Sequence, residues 1–176
     1  MKLDSRTLDK VMKSVIVRKI KKTTRLLNPG DPVVYTYWVV KGLLLSIYHD
    51  EHGKEHIVQF AIENCWITDQ EGYYNQVPGS FSIHALEDSV ILCLSYASRE
   101  KLCAELHALD TFFRKKANDS FVKLQKRLLT YLTSDARQRF DLLHAEYPGL
   151  YQRLSKKVLA AYLGVSRETL SRFKPA

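Results

Sequence analysis

The sequence predicts an α+β fold in which an antiparallel β-roll is followed by a long helix and a C-terminal helix-turn-helix. The prediction rests on a β-rich front half with regular turn signals, a central stretch without Gly or Pro, and a C-terminal pattern of spaced small and apolar residues. We place the roll at residues 1–109, the long connecting helix at 110–133 and the helix-turn-helix domain at 134–176.

The composition suits a folded protein whose two halves differ in charge. Apolar residues make up 45% of the 176 residues and 19 residues are aromatic, which is enough for a core. Residues 1–110 carry 13 Lys and Arg against 14 Asp and Glu, a net charge of −1, whereas residues 111–176 carry 14 against 5, a net charge of +9. The basic excess therefore lies in the half that contains the helix-turn-helix, as a phosphate-facing region requires.

The front half begins with a helix and continues as short strands. Residues 7–17 have helical apolar spacing, and the chain after them is rich in Val, Ile, Tyr, Trp and Thr with regular turn signals. We predict strands at residues 33–37, 38–49, 55–62, 81–86 and 90–96, followed by a helix at 99–109. Such strands suit an antiparallel sandwich or roll.

The stretch from residue 110 to 131 predicts one long amphipathic helix. Its apolar positions step by 4, 3, 4 and 3 residues, which is heptad spacing. They are Ala117, Phe121, Leu124, Leu128 and Tyr131. This seam either packs on the chain's own roll or pairs with a second copy. We favour a homodimer, because helix-turn-helix proteins usually read two half-sites one DNA turn apart, roughly 34 Å.

The last part of the chain predicts a further helix and then a helix-turn-helix. We predict the further helix at residues 133–147, with Ser134 or Asp135 as its N-cap and Pro148-Gly149 at its end. Residues 154–174 have a small residue, two apolar plugs, a turn glycine and a second-helix anchor at the required spacing. In that order they are Ala160, Leu163, Val165, Gly164 and Leu170. Ser166 is predicted to cap the second helix.

The outward face of this second helix has the chemistry of base recognition. If the helix starts at Arg167, then Glu168, Ser171 and Arg172 share that face. An arginine donates two parallel hydrogen bonds to guanine, and a carboxylate accepts one from cytosine N4. The structural alternative is an ion pair between Glu168 and Arg172, worth about 0.2 to 0.5 kcal/mol. Motif and charge together predict double-stranded DNA as the partner.

Four motifs in this order of parts resemble one known family. They are Leu27-Asn28-Pro29-Gly30-Asp31, Val40-Lys41-Gly42, Ala85-Leu86-Glu87-Asp88 and the run LGVSRETLSR at residues 163–172. With them the chain resembles the Crp/Fnr family of bacterial transcription regulators. Residues 136–140 and 147–150 are similar to members of the Bacteroidetes type. The resemblance implies a roll like a cyclic-nucleotide-binding domain, a homodimer and RNA polymerase as a further candidate partner.

The resemblance also implies roles for residues of the second helix. It assigns base reading to Arg167, Glu168 and Arg172, and it places Ser166, Thr169 and Ser171 near phosphates. Members with this pattern read half-sites similar to TGTGA, so we expect a palindrome of such half-sites. An effector, or the packing of the roll itself, is expected to act through a hinge near Thr133 and Ser134.

The pocket of the roll departs from the family pattern. Members that bind cyclic nucleotides carry Phe-Gly-Glu and, about ten residues later, Arg-Ser or Arg-Ala, whereas this chain has CWITDQ at residues 65–70 and then Gly79-Ser80. A cyclic phosphate would meet no arginine there, and burying its charge unpaired is costly. We therefore expect no tight binding of cyclic AMP and no cofactor, and leave open another small-molecule effector.

Five residues are candidates for lining this pocket. They are Trp66, Asp69, Tyr73, Tyr74 and Ser80. Aromatic packing is the alternative role for most of them.

The sequence also contains weaker signals for other functions. Residues 52–56 match the H-x-x-E-H pattern of some zinc peptidases, but the Gly-Lys step predicts a hairpin turn where that chemistry needs a helix. A cupin-like metal site at His49, His52 or His56 lacks a second ligand motif. Because paired carboxylates, a nucleophile elbow and a phosphate loop are absent from the sequence, we predict a non-enzyme without a metal.

One alternative to a DNA-binding protein is a roll sensor whose helical end binds a protein.

The three cysteines lack the spacing of a disulfide framework or metal cluster. The N-terminus lacks the apolar core of a signal peptide, and Lys41 interrupts the most apolar run well short of a membrane span. We therefore expect a cytoplasmic protein with no membrane partner.

Overall fold

The computed structural model describes residues 4–173, apart from the side chain of Arg6. Residues 1–3 and 174–176, with which the predicted roll begins and the predicted helix-turn-helix domain ends, lie outside the described residues. Contacts divide the chain into two compact units, Met1–Phe113 and Arg114–Ala176. The long helix His107–Thr133 contains the boundary between these units.

The first unit consists of two four-stranded antiparallel sheets with flanking helices. Its elements are α1 (Ser5–Ser14), β1 (Ile16–Ile20), β2 (Arg25–Leu27), β3 (Tyr35–Lys41), β4 (Leu44–His49), β5 (Glu55–Ala61), β6 (Trp66–Ile67), α2 (Gln70–Asn75), β7 (Ser82–Ala85), β8 (Ser89–Ser95), α3 (Tyr96–Glu105) and the start of α4 (His107–Thr133). The sheets have the orders β1-β8-β3-β6 and β2-β7-β4-β5. Non-sequential neighbours of this kind are typical of a jelly roll, so the predicted fold class is confirmed.

The main core of the first unit is formed by apolar side chains from both sheets. All eight strands contribute to it, from Ile20 in β1 to Ile91 and Cys93 in β8. Val39 and Ile83 are fully buried, and burial of such a side chain contributes about 1.5 to 3 kcal/mol. The roll is therefore stabilised by a core of its own.

Two predicted elements of the first unit are wrong in their extent. The strand expected at residues 38–49 is split between β3 and β4, because Gly42 has a φ of 107° and a Cβ there would collide with Ser89. The helix expected at residues 99–109 is also split. It divides into α3 and α4 at Leu106, which has the extended conformation φ −135°, ψ 90°.

Other differences arise where the elements are short. The N-terminal helix ends at Ser14 rather than at residue 17, because β1 starts at Ile16. The strands β1, β2 and β6 and the helix α2 were not predicted. They have at most six residues, and β2 and β6 have only three and two, too few for a periodic pattern.

The second unit is helical. After the remainder of α4 come α5 (Ala136–Glu146), α6 (Leu150–Arg153), α7 (Lys156–Leu163) and α8 (Arg167–Ser171). Asp135, rather than Ser134, caps α5, and it forms a reciprocal capping box with Gln138. The buried side chains include Phe140 of α5, Leu150 of α6 and Leu159 of α7. They form the scaffold on which α8 is held.

Candidate nucleic-acid interface and roll pocket

The helix-turn-helix predicted from the sequence is formed by α7, a turn at Gly164 and α8. Ser155 caps α7 and Ser166 caps α8, each accepting a hydrogen bond from the backbone N–H three residues later. Gly164 has a φ of 69°, in the left-handed region that glycine adopts without strain. The predicted cap at Ser166 and the predicted turn glycine are therefore confirmed.

Apolar side chains hold the two helices of this motif together. Leu163 of α7 and Leu170 of α8 are almost fully buried, as is the small residue Ala160. The N–H of Val165 donates to the carbonyl of Ala160 at 3.0 Å, the bond of a Schellman motif that ends α7. The packed faces leave the other side of α8 free to carry polar residues.

The side chains predicted to read bases lie exposed on α8 and its C-cap. Arg167, Glu168, Ser171 and Arg172 are all exposed to solvent. Among the ion pairs of the described residues, none joins Glu168 to Arg172, so the structural alternative of an i,i+4 pair is wrong here. Both side chains are available to another molecule.

Hydrogen bonds at the start of α8 favour the ionised form of Glu168. Its own backbone N–H, and then the hydroxyl of Ser166, hold the pKa of the Glu168 carboxyl below its ordinary value of 4.5. The ionised carboxylate is an acceptor, as a contact with cytosine N4 requires. The sequence predicted Glu168 as a base-reading residue, but it did not predict that the Ser166 hydroxyl bonds the Glu168 carboxylate.

The hydroxyl residues expected near phosphates already bond within α8. Ser166 accepts from the Thr169 N–H at 3.1 Å, and its Oγ lies 3.1 Å from Thr169 Oγ1. Ser171 donates to the carbonyl of Glu168 at 2.7 Å. A phosphate contact by any of these hydroxyls would have to share or replace these bonds.

Aromatic side chains anchor the end of α8 to α5. The rings of Phe173 and Phe140 lie 5.5 Å apart, and the Arg137 guanidinium lies 5.8 Å from the Phe173 ring centroid. Phe140 is 1% exposed. Spacing along the chain does not predict this contact, because Phe140 and Phe173 are 33 positions apart in sequence.

The last two turns of α4 contact the helix-turn-helix. The guanidinium of Arg127 lies 4.3 Å from the ring centroid of Tyr162 in α7, and burial raises the pKa of that tyrosine. Tyr131 faces the turn: a Cβ added at Gly164 would lie 3.4 Å from the Tyr131 hydroxyl. The end of α4 and the helix-turn-helix therefore belong to one compact unit.

The residues predicted as a dimer seam are exposed along α4. Phe121 is 61% exposed, Leu124 62% and Leu128 56%. Ala117 is exposed as well, and Tyr131 is 59% exposed although one side of its ring faces the turn of the motif. Further exposed apolar residues lie beside the heptad positions, at Val122, Leu129 and Leu132. Exposed apolar side chains therefore run along α4 from Phe121 to Leu132.

In the roll, the carboxyl group of Asp69 is buried and fully engaged. Asp69 is 1% exposed and caps α2 by accepting from the N–H of Gly72 at 3.2 Å. Its other oxygen accepts from the N–H of Ser80 at 2.7 Å, the Ser80 hydroxyl at 3.1 Å and the N–H of Phe81 at 3.1 Å. Asp69 thus ties the start of α2 to the loop at Gly79-Ser80.

The aromatic candidates for the pocket are mostly packing residues. The hydroxyl of Tyr73 donates to the Leu94 carbonyl at 3.2 Å, and burial raises the pKa of this tyrosine. Tyr74 stacks edge-on against Tyr73 and lies 5.1 Å from the Arg99 guanidinium. Trp66 is not part of this group.

The ring of Trp66 packs instead against other aromatic rings. Its centroid lies 5.1 Å from that of Trp38 and 5.7 Å from that of Phe113. The indole Nε1 is buried and has no hydrogen-bond partner among the described residues. Of the five predicted pocket residues, the structure therefore joins Asp69 to Ser80 and Tyr73 to Tyr74.

A surface cavity of about 340 Å³ in the first unit lies elsewhere. Its lining carries no carboxylate and no cationic side chain, and none of the five predicted pocket residues belongs to it. The lining residues are Pro32, Val33, Val34, Gln76, Val77, Pro78, Ser95, Tyr96 and Ala97. Such a wall does not suit an anionic phosphate.

The H-x-x-E-H segment lies in the hairpin between β4 and β5, as its Gly-Lys step predicts. Asp50 accepts from the backbone N–H of His52 and Lys54, and His56 Nε2 lies 2.7 Å from its carboxylate. The bond to His56 is the main reason that the pKa of Asp50 is below its ordinary value. Within residues 4–173 no group of three or more His, Cys, Asp or Glu is arranged to hold a metal ion.

Among the described residues, no helix is both long enough and apolar enough to cross a bilayer.

Residues 17–105 match the family model described as the cyclic nucleotide-binding domain. The chain is also similar to the protein named cAMP-activated global transcriptional regulator CRP from Escherichia coli O6:H1. The two are 21% identical over 178 residues, which cover 94% of this chain and 84% of the relative.

Solved structures are similar in fold over most of the chain. FixK2 from Bradyrhizobium japonicum matches with a TM-score of 0.77 at 17% identity, covering 90% of this chain and 81% of the other. The c-di-GMP responsive global regulator CLP from Xanthomonas campestris matches with a TM-score of 0.71 at 16% identity, covering 96% and 89%. At such identities the likeness concerns the fold.

Proposed function

The chain belongs to the cyclic nucleotide-binding domain family, and from that premise we propose that it is a sequence-specific DNA-binding transcription regulator of the Crp/Fnr type. The relatives it matches are transcription regulators, which supports a regulatory role and a non-enzyme, and the resemblance to the Crp/Fnr family is confirmed. The observation that carries the proposal is α8, whose buried Leu170 fixes it to α7 while Arg167, Glu168 and Arg172 face solvent.

These three side chains suit the edges of bases in the major groove. Arg167 and Arg172 can each bond guanine O6 and N7, and the Glu168 carboxylate can accept from cytosine N4. The predicted half-site is similar to TGTGA. The net charge of +9 over residues 111–176 supports the same partner, because phosphate contacts require an excess of Lys and Arg.

The DNA-bound form in this proposal is a homodimer joined along α4. Phe121, Leu124 and Leu128 are more than half exposed, and a second copy of the same helix would bury them. Two copies related by a two-fold axis read an inverted repeat, which explains why the site should be a palindrome. Such a protein works in the cytoplasm, where its DNA is, and RNA polymerase is its further candidate partner.

The roll in this proposal does not bind cyclic AMP. Gly79-Ser80 stands where the family pattern has its phosphate-binding Arg-Ser, and the N–H groups of Ser80 and of the following Phe81 both donate to the carboxylate of Asp69. A cyclic phosphate would have to displace this internal anion, and no arginine would neutralise it. Isothermal calorimetry should therefore detect no binding at micromolar cyclic AMP, and heat of a micromolar complex would contradict this point.

The experiment that tests the proposed function is selection of bound duplexes from a random DNA pool by the purified full chain. We expect recovery of an inverted repeat with TGTGA-like halves. Affinity for the recovered site should fall steeply as salt rises, since several phosphates are neutralised by each dimer. Recovery of no common sequence would favour the alternative in which the helical end binds a protein.

A further inference from the structure

Arg139 of α5 bridges the ends of two other helices of the second unit. Its Nε donates to the carbonyl of Leu163, the last residue of α7, at 3.2 Å. Its Nη1 donates to the carbonyl of Ser134, directly after α4, at 2.7 Å. One guanidinium therefore binds the carbonyl of the last residue of α7 and that of the first residue after α4.

The chemistry of this bridge favours an arginine. The C-terminal end of a helix carries a partial negative charge, so a cation there is stabilised. The planar guanidinium presents several N–H donors in a fixed fork, whereas the single ammonium of a lysine has no such fixed geometry. The ring of Tyr131 lies 5.1 Å from the Arg139 guanidinium carbon and limits its freedom on the α4 side.

A second contact joins the same two parts of the unit. Arg127 of α4 lies over the ring of Tyr162 in α7, 4.3 Å from its centroid. Together with the Arg139 bridge, this contact fixes α7 and its turn at Gly164 against the last turns of α4. Because α8 is packed on α7 through Leu170, the direction of α8 relative to α4 is fixed as well.

We propose that Arg139 is a positioning residue that sets the distance and angle between the two DNA-reading helices of the dimer. This inference rests on the proposed function, because it requires α4 to pair and α8 to bind DNA. Ser134, one of the carbonyl partners, lies where the sequence predicts a hinge, so the bridge holds that hinge in one position. Arg139 acts through α4 and α7, without touching a base.

A rigidly held pair of reading helices accepts one spacing of half-sites. Two base pairs added at the centre of a palindrome turn one half-site by about 70° and move it by about 7 Å relative to the other. We expect the wild-type dimer to bind the lengthened site about a hundredfold more weakly than the best site. Arg139→Lys keeps the charge without the fork, and its penalty should fall to about tenfold or less.

The control for an Arg-to-Lys change is Arg25→Lys. Arg25 is exposed in β2 of the roll, outside the second unit, so this variant should keep the wild-type penalty for the lengthened site. A charge-neutral second variant, Tyr162→Leu, removes the ring under Arg127 and should also reduce the penalty. It provides the test if Arg139→Lys proves unfolded in a thermal melt.

The salt dependence of binding separates positioning from direct phosphate contact. Arg139→Gln should leave the slope of log affinity against log salt unchanged, whereas loss of a phosphate contact would reduce it by about one. An unchanged spacing penalty in Arg139→Lys and Tyr162→Leu, or a reduced salt slope in Arg139→Gln, would overturn the inference. If the wild-type chain shows no sequence preference at all, the proposed function itself is wrong.

Discussion

In the first unit the buried carboxyl group of Asp69 accepts four hydrogen bonds from its own chain. In the second unit, by contrast, the charged side chains on and next to α8 face solvent. The roll closes its core with residues from all eight strands. The second unit instead exposes Phe121, Leu124 and Leu128 and keeps Arg167 and Arg172 on its surface. The buried carboxylate of the roll is satisfied within its own unit, whereas the exposed apolar and basic residues of the helical unit are the ones that our proposal assigns to a second copy and to DNA.

The largest expected effect is the loss of stability when the buried carboxylate of Asp69 is removed from the roll. Asp69→Ala leaves the N–H groups of Gly72, Ser80 and Phe81 without their acceptor, so we expect a loss of about 3 to 5 kcal/mol in the free energy of unfolding. Urea denaturation of the full chain, followed by the fluorescence of its tryptophans, measures this loss.

The control for this change is Ser80→Ala, which removes one donor and keeps the carboxylate bonded to the backbone. It should cost about 1 kcal/mol. Equal, small losses in both variants would show that Asp69 does not organise the roll.

A second test removes the exposed apolar surface from the helical unit. Leu124→Glu combined with Leu128→Glu places charges in the predicted seam, so the dimer should dissociate. Affinity for a palindromic duplex should then fall about a hundredfold or more, because the two half-sites are no longer bound together. Sedimentation equilibrium gives the mass of the free protein, and fluorescence anisotropy gives the affinity.

Val122→Glu is the matched control on the same helix. Val122 is 47% exposed but lies outside the heptad series. This variant should remain a dimer with wild-type affinity. Dissociation caused equally by Val122→Glu would place the interface on a different face of α4.

The smallest expected effect is a loss of stability of the roll at acidic pH. Burial, and then the nearby charges of Arg25 and His49, hold the pKa of His84 below its ordinary value of 6.5. The unfolded chain therefore takes up a proton first as pH falls through about 6.5, and the folded state loses stability from that point downward.

His84→Gln should make the urea midpoint less dependent on pH between 7.5 and 5.5. A wild-type midpoint that rises on acidification would contradict the lowered pKa of His84.

Features that depend on neighbours in sequence could be predicted, and the helix-turn-helix is the main example. The cap at Ser166 and the left-handed turn at Gly164 involve partners within a few residues, so spacing alone identifies them. The same holds for the hairpin at residues 50–54. The break at Gly42 was missed because it depends on close contact with Ser89, 47 positions later in the sequence.

The roles of the site residues depended on contacts that spacing does not show. Asp69 was identified as a pocket residue, but its partners Ser80 and Phe81 reach it only when α2 and β7 are in place. Tyr131 was assigned to the dimer seam by its heptad position. In the structure the Arg139 guanidinium carbon also lies 5.1 Å from the centroid of its ring. Periodicity finds the face of a helix but not which neighbour covers it.

The claim that α8 reads bases is tested most directly by measuring the affinity of wild type and Arg172→Ala for the selected palindrome and all its single-base variants. Arg172→Ala should lose about 1 to 3 kcal/mol of discrimination at one base pair in each half-site and keep the wild-type pattern at the others. An unchanged pattern at every position, or a uniform loss across all sequences, would contradict it.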